Sequence, residues 1–387
     1  MATDVLIIGG GIVGSSIAYH LKSRDPGCEV VVVERDPTYE HAATPRSNGG
    51  IRRLFSLPEN IQMATYGLAF YESFADAMRV DDQPADISFS HQGYLFVSDD
   101  GGEAQMEKNY ELQRDMGVDV TLLDPAALQA RFPSLALDGV RLAVHSERDA
   151  WIDPYSALMG FRAKARSLDV TYVKTEIQRL ERHGHRISGA VTADGEMHRA
   201  DYYVNACGAW CAPLAATVDI PLPMEPMSRE SYFFSTPAEL EPLPFIKTET
   251  DLAFRPEGTG YVGGIPDWSE GGGWNFEVDP QRFNDIVWPA LAARIPALET
   301  LRLERSWRGH YARSQLDLSP IIGPCTGLAD NFYLANGFSG HGIMHAPATG
   351  RAITELLRTG RFESTDLAAF GYHRITNNRP YREIGIV

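Results

Sequence analysis

The chain is poor in cysteine, in positive charge and in long apolar runs, and each shortage removes a class of function. Only four cysteines occur, Cys28, Cys207, Cys211 and Cys325. Their spacing fits no zinc template, and so few thiols in 387 residues read as reduced side chains, not a disulfide scaffold. Cys207 and Cys211 stand one helical turn apart, where core packing is preferred over pairing. The 35 Lys and Arg against 51 Asp and Glu leave a net charge of −16, which repels nucleic-acid backbones and anionic membranes. Nucleic acid is therefore not expected as a partner. No run approaches the roughly eighteen apolar residues of a membrane span, so none is expected. The first strand begins almost at once and leaves no room for a signal peptide, so the expected location is the cytoplasm. GxSxG, HExxH and Walker-type loops are also missing, which leaves hydrolase and kinase readings without a handle. His41, His91, His310, His341 and His345 make no metal spacing with nearby carboxylates. His341 and His345 are four apart, but Gly340 and Gly342 favour a glycine turn over a ligand helix, and no metal is expected.

What is present begins at residue 4. DVLII, then Gly9-Gly10-Gly11-Ile12-Val13-Gly14, then SSIAYHLKSR, then EVVVVE ending at Glu34 read as strand, glycine turn, helix and strand. This is a dinucleotide fingerprint in its required setting. Gly9 permits the tight turn, Gly11 lets the backbone approach a pyrophosphate, and Gly14 lets helix and strand pack closely. The helix N-terminus offers its free N–H groups to phosphate. Glu34, about twenty residues on, is placed to accept from a ribose.

Further along, Ser47-Asn48-Gly49-Gly50 reads as a turn beside the dinucleotide, followed by a long helix over 59–78. Residues 91–98 and 139–147 read as strands, and 103–116 and 124–131 as helices. Asp153-Pro154 caps another helix to about 167. Short strands follow, with turns at Gly184 and Asp194-Gly195, and YYVNA leads to a second tight turn at Gly208. Residues 220–320 alternate strands with Pro, Gly and aromatics, and Gly271-Gly272-Gly273 marks a surface loop. At the far end a strand over 332–335 meets Gly337-Phe338-Ser339-Gly340-His341-Gly342, then a helix over about 346–358. Glycine turns at both ends imply a discontinuous cofactor domain, with the N-terminal turn on adenosine and phosphates and the C-terminal turn free for the other end. N–H donors at that second turn would stabilise the negative N1–C2=O edge of a reduced flavin.

GGGIVG with Glu34, SNGGIRRLFSLPENIQMA, Ile152-Asp153-Pro154, VNACGAW and PIIG…NFYLANGFSGHGIMHAPATGRAI occur in order from about residue 4 to 362. In these motifs the chain resembles the D-amino-acid-oxidase-like (DAO) superfamily of FAD proteins. Within it, the resemblance is nearest to the dimethylglycine-dehydrogenase-like and sarcosine-oxidase-like branch, and to FAD-dependent oxidoreductase domain-containing proteins linked to respiratory complex I assembly. The resemblance implies an α/β plus α+β architecture: a Rossmann-like FAD domain (1–80, 145–215 and 320–387) with an interleaved substrate domain (81–144 and 216–319) on a mixed β-sheet. It implies FAD contacts from Gly9, Gly11, Ile12, Val13, Gly14, Glu34 and Arg35. A second group is Arg46, Ser47, Asn48, Gly49, Gly50, Ile177, Ala206, Gly208 and Trp210. A third is Gly337, Phe338, Ser339, Gly340, His341, Gly342, Ile343 and Met344.

The chemistry so implied is oxidation of a C–N bond in a small-molecule amine or amino acid. Hydride passes to flavin N5 and the imine is hydrolysed. No strong base is needed if the amine binds neutral. Departures from the family pattern sharpen this. Gly309 stands where a cysteine tethers the flavin in monomeric sarcosine oxidases, so FAD is expected to be non-covalent. The slot of their oxygen-activating lysine falls at Val262 or Tyr261. A cation beside a flavin lowers the cost of forming superoxide, so its absence favours a dehydrogenase that delivers electrons to a carrier. Met344 and Tyr311 replace two usual carboxylate clamps. The remaining candidates to hold an anionic substrate are Arg52, Arg53, Arg308 and Arg313, with Tyr261, Tyr311 and His345 as hydrogen-bonding partners; Arg52 is preferred. The alternatives are a 2-hydroxy-acid dehydrogenase using His345 or His310 as base, and a flavoprotein with an assembly role.

Overall fold

A computed structural model describes residues 3–99 and 101–385. Its centre is a six-stranded sheet in the order Ile321–Cys325, Ala329–Asn336, Ala200–Asn205, Thr3–Ile8, Val30–Glu34 and Thr171–Lys174. The last five run parallel and the first is antiparallel to its neighbour. Strands covered on both faces read as unbroken apolar runs, which is why DVLII and VVVV lack alternation. Val5 and Ile7 face a core shared with Ile17 and Leu21 of the helix Ile12–Arg24 and Leu356 of the helix Gly342–Thr359. Leu6 and Ile8 face a core shared with Leu180 and Ile187 of a three-stranded sheet, Ile177–His183, Arg186–Thr192 and Met197–His198. The sheet's strands come from three stretches of chain. The first two and last two residues of the expected cofactor domain lie outside the described residues.

The chain leaves this layer to build an eight-stranded mixed sheet. Its order is Arg302–Ser314, Met224–Ser235, Gly260–Gly264, Ala253–Glu257, Phe245–Thr248, Tyr94–Ser98, Leu142–Ser146 and Val120–Leu123. A division of the chain at 144/145 would cut through Leu142–Ser146. One face buries Tyr232, Phe234 and Phe254 against Phe283, Val287 and Leu291. The other face turns toward the glycine turns of the first sheet.

Several local expectations hold for physical reasons. Asp124 and Asp153 cap their helices by accepting from the N–H groups of Ala127 (2.8 Å) and Ser156 (2.6 Å), with proline at the first helical position. Others need correction. The helix expected over 59–78 is Pro58–Glu72 followed by a separate turn, Phe74–Ala77, because the ladder breaks at Ser73. The strand expected from 91 starts at Tyr94. The final helix starts at Gly342, not near 346, with His341 as its N-cap. Helical turns over Phe283–Val287 and Trp288–Arg294 interrupt a region read as strands. Among the described residues no helix is long and apolar enough to cross a membrane.

Candidate functional site

One cavity of about 1430 Å³ runs between the two sheets. That exceeds the roughly 300–1,000 Å³ of ordinary small-molecule pockets. At one end lies the first glycine turn. Gly9 has φ +102°, and a Cβ there would stand 2.5 Å from the Ala206 carbonyl oxygen. A Cβ on Gly14 would stand 1.9 Å from the Gly9 oxygen, so Gly14 is fixed by packing and lies behind the lining. Gly11 differs: a Cβ there meets nothing within 4 Å. Packing does not require its bareness, whereas a ligand laid against the backbone does. Ile12 and Val13 continue the lining. Glu34 accepts from the N–H groups of Gly10 and Asp36, each at 2.8 Å. Burial pushes its carboxyl up, and these two bonds oppose the shift. Arg35 lies 3.8 Å over the Trp210 ring, and Ile177, Ala206 and Gly208 close this end. The open helix N-terminus, bare Gly11 and half-buried acid fit the phosphates and ribose of a dinucleotide.

The middle of the cavity is the turn after Ala43. Arg46 donates to the carbonyls of Glu40 (2.7 Å) and Arg308 (2.9 Å), which ties the turn to the eight-stranded sheet. Ser47 Oγ accepts from the Gly49 N–H (3.0 Å). The Asn48 carbonyl accepts from Arg255 Nε (2.6 Å), while its buried Oδ1 has no partner among the described residues. Gly49 does not line the cavity; a Cβ there would meet the Ile152 carbonyl at 2.0 Å. Gly50 does line it, under the Tyr94 hydroxyl.

The second glycine turn forms the far wall. Gly337, Ser339 and Gly340 have φ of +75°, +48° and +97°, which winds the backbone tightly before the helix starts. Phe338, His341, Gly342, Ile343 and Met344 complete this wall. The helices Ile12–Arg24 and Gly342–Thr359 pack side by side, joined by Ser16 Oγ donating to the Ala346 carbonyl (2.8 Å). Two positive helix ends therefore open on one space.

Of the side chains expected to act on substrate, Arg52 and Tyr311 line the cavity. Arg52 donates to the Leu54 carbonyl and shares a 3.0 Å bond with His341 Nε2, with its guanidinium over Phe55 at 4.1 Å. The other three lie elsewhere. Tyr261 stacks on Phe234, on the face of the strand Gly260–Gly264 opposite Val262 and Gly264, and points into the core. Strand alternation alone decides this. Arg308 faces away from Arg229 and Gly309, bound to Glu230 (2.6 and 3.0 Å) and Glu270 (2.8 Å). His345 is buried behind Phe55 and Phe338, and burial, with Arg52 beside it, holds its pKa down at about 3. Arg53 is bound to Asp149 (2.7 Å) and Arg313 to Glu225, so neither is free for an anion.

Two cavity cations escaped sequence reasoning. Arg229, on Met224–Ser235, sits over the Trp268 and Tyr311 rings at 4.8 and 5.5 Å. Lys247, on Phe245–Thr248, projects from the same face of the sheet. The ring end is thus not without a lysine, which corrects the expectation drawn from Val262 and Tyr261. Burial first, then Arg52 and Arg229, lower the Lys247 pKa to about 7. A signal existed in the sequence: Lys247 is a lone cation in the apolar strand FIKT.

Comparison with known proteins agrees with this geometry. The profile of the family described as FAD dependent oxidoreductase (DAO) matches residues 4–356. The chain is 36% identical to the FAD-dependent oxidoreductase domain-containing protein 1 of Xenopus laevis, over 99% of this chain and 85% of that protein. It is 25% identical to the mitochondrial dimethylglycine dehydrogenase of Homo sapiens, over 92% of this chain but 42% of that one. Its fold is similar to the crystal structure of L-proline dehydrogenase from P. horikoshii, with a TM-score of 0.87 and 26% identity over 98% of this chain and 99% of that one.

Proposed function

The chain belongs to the DAO family of FAD-dependent oxidoreductases, and from that premise we propose that it oxidises the C–N bond of a secondary amine or N-substituted amino acid. FAD, when bound, supplies a hydride-accepting N5 and an N1–C2=O edge that becomes negative on reduction. The residues proposed to hold it are the turn from Gly9 to Gly14, Glu34, Arg35 and Trp210 at the adenosine end, and Gly337–Met344 at the ring end. Gly309 offers no thiol beside the eight-stranded sheet, which supports non-covalent binding.

The observation that carries the substrate reading is the charge at the ring end. Arg52, Arg229 and Lys247 line it with no carboxylate bound to any of them among the described residues. An acid group on the substrate would be drawn there. The neighbouring histidines are neutral: burial holds His310 at about pKa 4 and His341 lower than its ordinary value. A cavity of fixed cations and neutral imidazoles favours the uncharged amine, the form that releases hydride without a base. A 2-hydroxy acid would need a base in contact with its hydroxyl, and His345 does not line the cavity.

For the acceptor we favour a carrier over oxygen: the cavity's lysine, Lys247, comes from the strand Phe245–Thr248 and not from Gly260–Gly264, and it is assigned to the substrate's acid group. The four unpaired thiols fit a reducing compartment such as the cytoplasm. Anaerobic mixing of the FAD-loaded protein with N-methyl amino acids, proline and simple amines tests the substrate class. Bleaching of the flavin absorbance by at least one secondary amino acid is expected; bleaching by 2-hydroxy acids alone overturns it. Turnover with oxygen as fast as with an artificial carrier overturns the dehydrogenase assignment.

A further inference from the structure

Among the described residues five arginines are buried, and four of them, Arg53, Arg255, Arg308 and Arg374, are bound to a carboxylate. Arg52 is not. The side chains of Arg229 and Lys247 have neither a hydrogen bond nor an ion pair among the described residues; that of Arg229 lies against the Trp268 and Tyr311 rings. The acids nearby are engaged elsewhere. Glu230 holds Arg308, Glu249 accepts from Ser98 Oγ (2.7 Å) and the Asp99 N–H (3.0 Å), and Asp251 accepts from Trp268 Nε1 (2.6 Å). Glu249 and Asp251 also line the cavity, yet neither is bound to Arg52, Arg229 or Lys247, so three cations without a carboxylate partner are left facing one space, an arrangement that suits an anionic ligand.

Sheet register shows the shape of the space. Lys247 pairs with Ala253 and Ala253 with Gly264, so these three stand in a row across one face. Arg229 lies on the next strand and pairs with Gly309. The strands bearing Lys247 and Arg229 are separated by two others, a distance of about 14 Å at the usual strand spacing. Ala253 and Gly264, which line the cavity between them, are too small to fill that width. The result is a slot with Lys247 at one side, Arg229 at the other, and Arg52 entering from the Gly50 turn, pinned by His341. One carboxylate, held at Arg52, and a neutral amine would leave Arg229 and Lys247 without a counter-charge.

We propose that the cavity takes a secondary amine bearing two carboxylates, one held at Arg52 and the second between Arg229 and Lys247. This rests on the amine-oxidation reading and narrows it. Arg229, beside the Trp268 and Tyr311 rings at 4.8 and 5.5 Å, supplies a planar fork for the second acid, and Lys247 supplies a compact charge opposite.

The test uses the FAD-loaded protein and two kinds of ligand. Non-reacting glutarate and butyrate are titrated by calorimetry and by perturbation of the flavin spectrum. N-methylglutamate and N-methylalanine are compared as substrates. Glutarate is expected to bind at least tenfold more tightly than butyrate, and N-methylglutamate to show the lower KM by a similar factor. Arg229→Gln and Lys247→Gln should each cut the glutarate preference about tenfold, and Arg229→Lys should restore part of it. Equal binding of the two acids by the unaltered protein overturns the proposal, whatever the variants do. So does loss of FAD from both Gln variants, which would assign the cations to the cofactor. If glutarate is preferred but no amine bleaches the flavin, the second anion site stands and amine oxidation fails. If amines react with no preference for the diacid, the outcome is the reverse.

Discussion

The two ends of the cavity are built by opposite means. At the phosphate end the working groups are backbone: the N–H groups ahead of Ile12–Arg24, the bare Gly11, and Glu34 already fixed by the Gly10 and Asp36 N–H groups. At the ring end the substrate-facing groups are side chains from separate strands and a loop, Arg52, Arg229, Lys247 and Tyr311, and three of them are basic groups with no carboxylate partner among the described residues. The first end is complete before a ligand arrives, whereas the second is left electrostatically open. The lesson is that this fold keeps cofactor binding in local backbone geometry and leaves substrate choice to the parity of strand residues, where single exchanges alter charge without disturbing the frame.

The sharpest way to break this comparison is at the first glycine turn. Gly14→Ala puts a methyl 1.9 Å from the Gly9 oxygen, a backbone atom with nowhere to move. Overpacking of this kind costs at least about 3 kcal/mol, and FAD should not be retained. Gly11→Ala puts a methyl into open space, so the FAD-free protein should unfold at the same temperature as the parent while FAD affinity falls at least tenfold. Thermal unfolding of both apo-proteins, with the flavin-to-protein ratio after desalting, reads out the two effects. If Gly11→Ala destabilises the apo-protein as much as Gly14→Ala does, Gly11 serves packing and the ligand role assigned to it fails.

A second contrast compares neighbours in sequence, one closed by a carboxylate and one left open on the cavity. Arg53 is bound to buried Asp149 at 2.7 Å, whereas Arg52 has no carboxylate. Arg53→Met strands a buried anion and should cost about 3–5 kcal/mol. Arg52→Met loses bonds to the Leu54 carbonyl and His341 and the charge–ring contact with Phe55, so the cost to stability should be about 1–2 kcal/mol while substrate binding collapses. Denaturant unfolding of both variants decides it; equal losses would mean that Arg52 is structural and that the ring end is no less closed than the phosphate end.

How much of this was legible follows from the same division. The glycine fingerprint, Glu34, both capped helices and the second glycine turn were readable because each is a short stretch whose spacing has a local cause. Gly14 makes the close helix–strand packing read from the fingerprint, and Gly49 likewise meets a carbonyl oxygen, so neither opens on the cavity although both were expected to touch the cofactor. Tyr261, Arg308 and His345 were misplaced and Arg229 and Lys247 overlooked for one reason. In a strand the neighbours of a lining residue face the opposite side, and a one-residue difference exchanges a cavity wall for a core. Arg308 and Gly309 are consecutive, yet only the second opens on the cavity. Pairing register across five strands carries that information, and no local spacing encodes it. Helices over 283–294 were lost in an apolar region whose Pro and Gly content suggested strands and turns.

The smallest expected effect sharpens the contrast through Lys247. Its pKa in the fold, about 7, lies below the ordinary lysine value, chiefly through burial and then through Arg52 and Arg229; Asp251 is the acid that opposes them, and His341 is neutral. Between pH 7 and the ordinary lysine range the unfolded chain therefore binds more protons than the folded one, so this group makes stability rise with pH across that window. Lys247→Met should remove that rise and raise stability at neutral pH. An anion in the slot works in the other direction, favouring the protonated amine. Diacid binding should be strongest below pH 7 and weaken as pH rises through and above it, by about tenfold if the bound anion lifts the lysine by one unit. Calorimetry at pH 8 in two buffers of different ionisation enthalpy should register net proton uptake with glutarate in the parent and none in Lys247→Met. Identical proton uptake in the two proteins would take Lys247 out of the anion site and leave Arg229 alone opposite Arg52. Glu34, at the phosphate end and held by the Gly10 and Asp36 N–H groups, should contribute no corresponding uptake.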